Sequence, residues 1–394
     1  MLTDEQIENL LYQYTKRQDE FNMAVIKKIA GRLSKIADFD NLYSLESSKI
    51  ISKDLDDIKS EYKGYIKDQK KRLKDDLWWL AYFMYAEALV YYEHQIELEY
   101  NKELVALIEQ AIKLAQAEFE NLIKNPVFVL RDLQNPSNLK TYNLEQTYRT
   151  ILNEAFNYRN LSDELQKTAL KRTEKQLFDS GIQYLRDDKS KNTKSVTHAN
   201  PAVRFNVLDS MKKLITKMQN VMGKQFGADG VELSAHIYPA PDHAPAQGHR
   251  YTMENVEKMQ NGEDFEDVDG NEYIGFVRQI GEWNCRHYFM KVKLNSEPRY
   301  TQKYLDKILE DNEKGYTDSN GKHYTLYECT QIQRRYERRI REAKEKYLLA
   351  KSLGDKNSMS ALRTRVGSLT LQYKQFSRAC DISIKPERIK VKDY

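Results

Sequence analysis

Apolar residues recur at helical spacing along most of this chain, and one stretch, Val231–Leu294, breaks the pattern. Ile7, Leu10, Leu11 and Tyr14 share one helix face, and Ile26, Ile29, Leu33 and Ile36 continue the stripe. Ile51, Leu55, Ile58, Tyr62 and Tyr65 alternate steps of four and three, as in a coiled-coil seam. Turn-formers are scarce, at 15 Gly and 8 Pro in 394 residues, so long helices with few turns are expected. Residues 1–130 read as helical by period. Leu104–Ile123 closes that region before Asn125-Pro126, because a proline disfavours helical geometry at the residue preceding it.

Asn135–Asn138 reads as a turn. Leu144–Tyr158 and Ser162–Leu185 read as helices, the second opened by Ser162 as a cap. Arg186–Asn200 is polar and reads as a loop. Pro201–Gly227 is helical again, with Val207, Met211, Leu214, Ile215, Met218 and Val221 on one side. Three short strand-like runs follow, Val231–Tyr238, Tyr273–Ile280 and Tyr288–Leu294, the last alternating apolar and polar residues. The acidic tract Asn261–Asn271 between the first two ends in the turn signal Asp269-Gly270-Asn271. After Pro298 the chain returns to helix, with Tyr324–Leu349 strongly basic, a break at Gly354-Asp355, a last helix over Ser358–Phe376 and an extended tail, Ile382–Tyr394. The pattern predicts a mainly α fold, with long helical arms around a small α+β module of short antiparallel strands. It divides into an N-terminal helical arm (1–130), a helical connector (131–204), the α+β module (205–298) and a basic helical arm with its tail (299–394).

The formal net charge is only +4, but residues 331–394 hold 17 Lys+Arg against 7 Asp+Glu. The rest of the chain is therefore slightly acidic. Three cysteines far apart suggest no disulfide framework and fit a reducing compartment such as a cytoplasm. The N-terminal residues lack the pattern of a secretory signal. The one long apolar run, Leu77–Tyr92, is 16 residues and contains Glu87. A bilayer span needs about 20 apolar residues, so a buried or partner-facing helix is expected and no membrane contact. Leu77, Trp78, Trp79, Tyr82 and Phe83 are the candidate partner surface, since Trp and Tyr dominate interface hot spots.

Four of the seven histidines and one cysteine fall in the irregular stretch. His236, His243, Cys285 and His287 are expected to converge on one side of the module, and their donors suit zinc. Cys285-Arg286-His287 is not a common zinc-knuckle spacing, however, and no second CxxC or HxxxH pair accompanies it. The favoured reading is a polar cluster whose histidines hydrogen-bond to loop backbone, with no catalytic residue and no cofactor. The alternative is a metal- or thiol-dependent hydrolase or transferase centred on His243, Cys285 and His287, because a nearby imidazole can activate a thiol. Glu263–Glu272 lacks the residue order of a calcium loop and reads as a solvated loop. The P-loop pattern, the dinucleotide glycine fingerprint, HExxH and GxSxG are all missing, which removes support for the usual nucleotide, metalloprotease and serine-hydrolase classes.

In the basic helix, Arg334, Arg338 and Arg341 lie at steps of four and three, with Arg335 and Arg339 beside them. Such a helix suits phosphate contact with double-stranded DNA without base reading. The competing reading is a solvated face, since Glu337, Glu342 and Glu345 offer intrahelical pairs.

The run Val231–His236, then Pro241–Gly248, then Gly281–His287 resembles the tailed-phage minor capsid protein 2 family, and more distantly the Mu F-like head morphogenesis proteins. Gly181-Ile182, Val203-Arg204 and Tyr327–Gln331 before the arginine-rich helix also fit. The resemblance covers residues 145–394; residues 1–125 match only in being helical. Where relatives often carry a Gly-Ala-Arg-Pro turn, this chain has Tyr238-Pro239-Ala240-Pro241. The resemblance implies a structural virion component, made in the host bacterial cytoplasm and held inside the head near the portal. Its implied partners are the portal protein or the major capsid protein.

Overall fold

The computed structural model describes residues 3–36, 45–92, 102–131, 139–147, 149–150, 176–177, 179–188, 193–281, 285–352 and 354–394. It is mainly helical, with small antiparallel sheets of short strands. Three long helices open the chain: α1 (Asp4–Ile36), α2 (Leu45–Tyr92) and α3 (Lys102–Ile123). The period of α3 shows why: Leu104, Ile108, Ala111, Ile112, Ala115, Phe119 and Ile123 form one buried stripe. The stripe packs on α4 (Ala199–Phe226), which also receives α1 and α2. Enclosed on several sides, α4 buries Val203, Val207, Met211, Leu214, Ile215, Met218 and Met222. One core therefore runs from Ile7 to Leu349 through all four helices.

Between α3 and α4 lies a four-stranded antiparallel sheet in the order β2-β1-β3-β4. Its strands are β1 (Pro126–Arg131), β2 (Leu139–Asn143), β3 (Gln183–Asp188) and β4 (Thr193–His198). This corrects the sequence reading, which extended helix to Leu185 and left Arg186–Asn200 as a loop. Tyr184 is buried while Leu185 and Val196, opposite each other in the register, face outward. Few apolar residues mark β3 and β4, so their alternation is weak in sequence; the ladder supplies what the pattern lacks. The predicted turn at Asn135–Asn138 and most of the predicted helices over 144–158 and 162–185 fall outside the described residues.

After α4 comes the module: β5 (Gly230–Leu233), β6 (Arg250–Thr252), α5 (Met253–Asn261), β7 (Phe265–Glu266), β8 (Glu272–Tyr273) and β9 (Phe289–Val292). β5 is the central strand of a three-stranded sheet, β6-β5-β9. Val231, Leu233, Tyr251, Met259, Phe265 and Phe276 form a second, smaller core beneath it. Thr252 caps α5 by accepting from the Asn255 amide, and Gly262 ends it in the left-handed region at φ 77°. β9 lies close against α4 because Gly223 has no side chain: a Cβ there would meet Lys291 Cβ at 2.4 Å.

The expected strand Tyr273–Ile280 is corrected to a two-residue strand, Glu272–Tyr273, paired with Phe265–Glu266. Beyond it the chain crosses the end of α5, with the Gly275 amide donating to Asp264 at 2.8 Å. Of its apolar residues Ile274 and Val277 point outward, Val277 being 99% exposed, while Phe276 and Ile280 turn into the second core. The acidic tract is likewise a β7–β8 hairpin rather than a plain solvated loop. The buried Asp267 carboxylate accepts from the amides of Asp269 and Asn271 and from the Tyr273 hydroxyl.

The C-terminal part consists of α6 (Gln302–Lys314), a small β10–β11 hairpin (Tyr316–Thr317 with His323–Tyr324), α7 (Leu326–Ser352) and α8 (Lys356–Ala379). α7 and α8 pack through Ile340, Ala343, Val366, Leu369 and Tyr373, with the break at Gly354 in the left-handed region. The tail is not simply extended: Pro386–Ile389 forms a 3-10 turn that buries Arg388 and Ile389. No helix of the described residues is long and apolar enough to cross a membrane.

A buried histidine–cysteine cluster and two surface candidates

Four segments meet beyond the C-terminal end of β5. Its continuation carries Ser234 and His236; residues 241–248 form a series of turns; Arg278 lies beyond the β8 hairpin; and Cys285–His287 leads into β9. The turn series folds back on itself through the amides of His243 and Ala244, which both donate to the Ala240 carbonyl. Gly248, at φ 78°, returns the chain to the sheet, its amide donating to Leu233 O at 2.8 Å.

Cys285 Sγ lies 3.5 Å from His243 Nδ1 and 3.4 Å from His287 Nδ1. All three side chains are buried. The far nitrogen of each ring is committed: His243 Nε2 donates to the Arg278 carbonyl at 2.7 Å, and His287 Nε2 to Gln247 Oε1 at 3.1 Å. Arg278 is itself held by a two-point pair with Asp242 at 2.8 Å. Burial pushes the Cys285 thiol up, but the His243 hydrogen bond and charge outweigh it and hold it below the usual thiol range. Burial pushes His243 down, and Cys285 raises it above the usual imidazole range. His287 is pushed well below that range by burial and by the charges of His236 and His243.

His236 belongs to a neighbouring network. Ser234 Oγ accepts from the Tyr288 amide at 3.0 Å, so its hydroxyl proton turns to His236 Nε2 at 3.1 Å. His236 Nδ1 then donates to Asp4 Oδ1 at 2.9 Å. Asp4 Oδ2 accepts from the Ile237 amide at 2.9 Å, and Arg286 pairs with the same carboxylate. The structure thus brings His243, Cys285 and His287 to one point, with His236 one ring away: the His236 and His287 centroids are 4.8 Å apart. The three donor atoms of His243, Cys285 and His287 lie within 4.8 Å of one another. In a second grouping, His249 Nδ1 lies 3.0 Å from the buried Asp267 carboxylate of the acidic hairpin, with the exposed Asp269 beside them.

Sequence reasoning missed the two residues of α1 that close this region, Asp4 and Glu8. Glu8 Oε1 takes Arg204 at 2.7 Å and Arg334 at 3.0 Å, and Oε2 faces Arg388 at 3.8 Å. Burial raises the Glu8 carboxyl, but Arg334 and Arg204 outweigh it and hold it well below the usual carboxylate range. A cavity of about 300 Å³ opens between these groups and the cluster, lined by Asp4, Glu8, Arg204, Arg334, Cys285 and His287. Asp4 lies 232 residues from His236, and no local pattern announces such a contact. Gln247 lies within Pro241–Gly248, but nothing local gave it a role.

The five arginines of α7 are divided by the same packing. Arg334 pairs with Glu8; Arg341 donates to the Arg388 carbonyl at 2.7 Å and faces Asp19 at 3.4 Å. Arg335, Arg338 and Arg339 are exposed. Of the five arginines expected to contact DNA, Arg334 and Arg341 thus face acids that α1 presents opposite them. The expected α2 surface is also trimmed: Leu77 is core, while Trp78 and Phe83 are half-buried. Trp79 is 46% and Tyr82 69% exposed, and Trp79 stacks on Phe83 at 5.5 Å between centroids. Trp283 falls outside the described residues.

Scaffold and site define a helical protein that carries a small antiparallel module with a buried His/Cys cluster. A family model described as phage minor capsid protein 2 matches residues 2–377. The chain belongs to that family, and its role is that of a structural capsid component. The match reaches through the N-terminal helices, further than the resemblance legible in the motifs alone. No curated protein and no solved structure matches the chain.

Proposed function

We propose that this protein is held inside the head of a tailed phage near the portal, where it docks on the portal or major capsid protein and touches packaged DNA, aiding head assembly or DNA delivery. The observation that carries the docking reading is the outer face of α2. Trp79, Tyr82, Phe83 and Val90 follow helical spacing, and Trp79, Tyr82 and Val90 are exposed. Large exposed apolar surfaces on a soluble chain mark interaction sites. The basic exposed arginines of α7 support the DNA contact.

The test is incorporation into particles. Virions assembled with Trp79→Ser and Tyr82→Ser together should contain several-fold less of the protein, while circular dichroism of the purified double variant stays unchanged. Crosslinking of wild-type particles should join α2 to the portal or the capsid wall. Full incorporation of the variant, or crosslinks from α2 only to the protein's own residues, would remove the docking role.

A further inference from the structure

We propose that His243, Cys285 and His287 hold a zinc ion, with water in the fourth position. The Arg278 carbonyl can only accept, so His243 Nε2 must carry its proton. Gln247 Oε1 accepts from the His236 amide at 2.9 Å, which fixes the orientation of that carboxamide. A flipped carboxamide would set an NH2 group against an N–H. His287 Nε2 therefore also carries its proton. Both Nδ1 atoms are left as lone pairs, and both point at the same sulfur.

In the neutral cluster a single proton then remains for three acceptor atoms. Wherever it sits, one buried lone pair faces another, and an unsatisfied buried polar atom is costly. A divalent cation in place of that proton satisfies all three donors together. The distances fit. Zn–S of about 2.3 Å and Zn–N of about 2.0–2.1 Å, set at the tetrahedral angle, put sulfur and nitrogen about 3.5–3.6 Å apart. The observed separations are 3.5 and 3.4 Å.

The surrounding groups also suit a metal. Ligating histidines characteristically donate their other ring nitrogen to a carbonyl or carboxylate, which fixes the tautomer and the ring plane. Arg278 O and Gln247 Oε1 do this here, and the Arg278–Asp242 pair holds the first of them in place. Mixed imidazole and thiolate donors select zinc over magnesium or calcium. Cys285 and His287 line the cavity beside Asp4 and Glu8, which gives water access to the fourth position. The ion would cross-link the 241–248 turns to the segment entering β9, and so brace the edge of a sheet with only three strands.

The experiment uses the full chain, purified under reducing conditions without chelator. Elemental analysis should find about one zinc per chain. Cobalt substitution should produce the thiolate-to-metal charge-transfer absorption of a tetrahedral site. Cys329 and Cys380 are buried in another core, so Cys329→Ser with Cys380→Ser should retain both the metal and the band. Cys285→Ser should lose both. The band in the double variant assigns the thiolate to Cys285 even if the Cys285 variant fails to fold. Metal below about 0.1 equivalents with no cobalt band in the wild-type chain would overturn the site. One equivalent of another transition metal would overturn zinc as its occupant.

Discussion

Replacing Glu8 by alanine should loosen α1 from α4, α7 and the tail. The carboxylate is the shared anion of three guanidinium groups contributed by α4, α7 and the tail. Removing one partner of a buried ion pair costs about 3–5 kcal/mol, because the remaining charge is left without compensation. Two features set the value at the lower end. The Arg334 side chain is 27% exposed and regains water, and Arg388 keeps Glu337 at 4.0 Å. A loss of about 3 kcal/mol corresponds to roughly a 150-fold drop in the exchange protection of α1 amides. Hydrogen exchange read by mass spectrometry measures this directly, with α3 as the internal reference. The effect should also depend on pH. Because the folded-state Glu8 carboxyl sits below its usual value, its contribution is complete above the unfolded value of 4.5 and is lost as pH falls below it. The difference between wild type and variant should therefore shrink in acid. A change in α1 protection under about 5-fold at neutral pH would show that apolar packing alone seats the helix.

The exposed arginines predict weak binding of duplex DNA without sequence preference. Changing Arg335, Arg338 and Arg339 to Gln should lower the salt slope by about 2–3, at roughly 0.9 per phosphate contact, in titrations of two unrelated duplexes. Equal binding by the triple variant would assign these charges to solubility or protein contact. Arg334→Gln should leave DNA binding nearly unchanged but loosen α1, since its guanidinium is already paired with Glu8. Gly230→Ala places a Cβ 2.3 Å from Leu294 Cδ2 and 2.8 Å from the Tyr251 carbonyl, in the central strand of the module. Overpacking of this kind costs about 1–3 kcal/mol, and should appear as a lower urea midpoint for the module. An unchanged midpoint would mean that the strand shifts without penalty.

Local periodicity alone determined where most helices run. The stripe of α3 and the helical state of Leu77–Tyr92 follow from apolar spacing, because a helix buries whichever face its own residues make apolar. The interruption by a strand-bearing module, and the concentration of His and Cys within it, were equally plain from residue types and turn signals. Strands β3 and β4 were not: with polar residues dominant and Leu185 and Val196 facing outward, only pairing across the ladder makes them strands. Tertiary structure also decided which charged residues remain available. Arg334 and Arg338 share one helix face, yet Glu8 on a distant helix takes the first while the second stays exposed. It decided, too, that three of the four candidate donors meet while His236 turns to Asp4. Spacing along a chain sets what a residue's neighbours on its own element can be. Which proton goes where in a buried cluster depends on the carbonyl of Arg278 and the side-chain oxygen of Gln247, brought to the two rings only when four segments of the chain close around them.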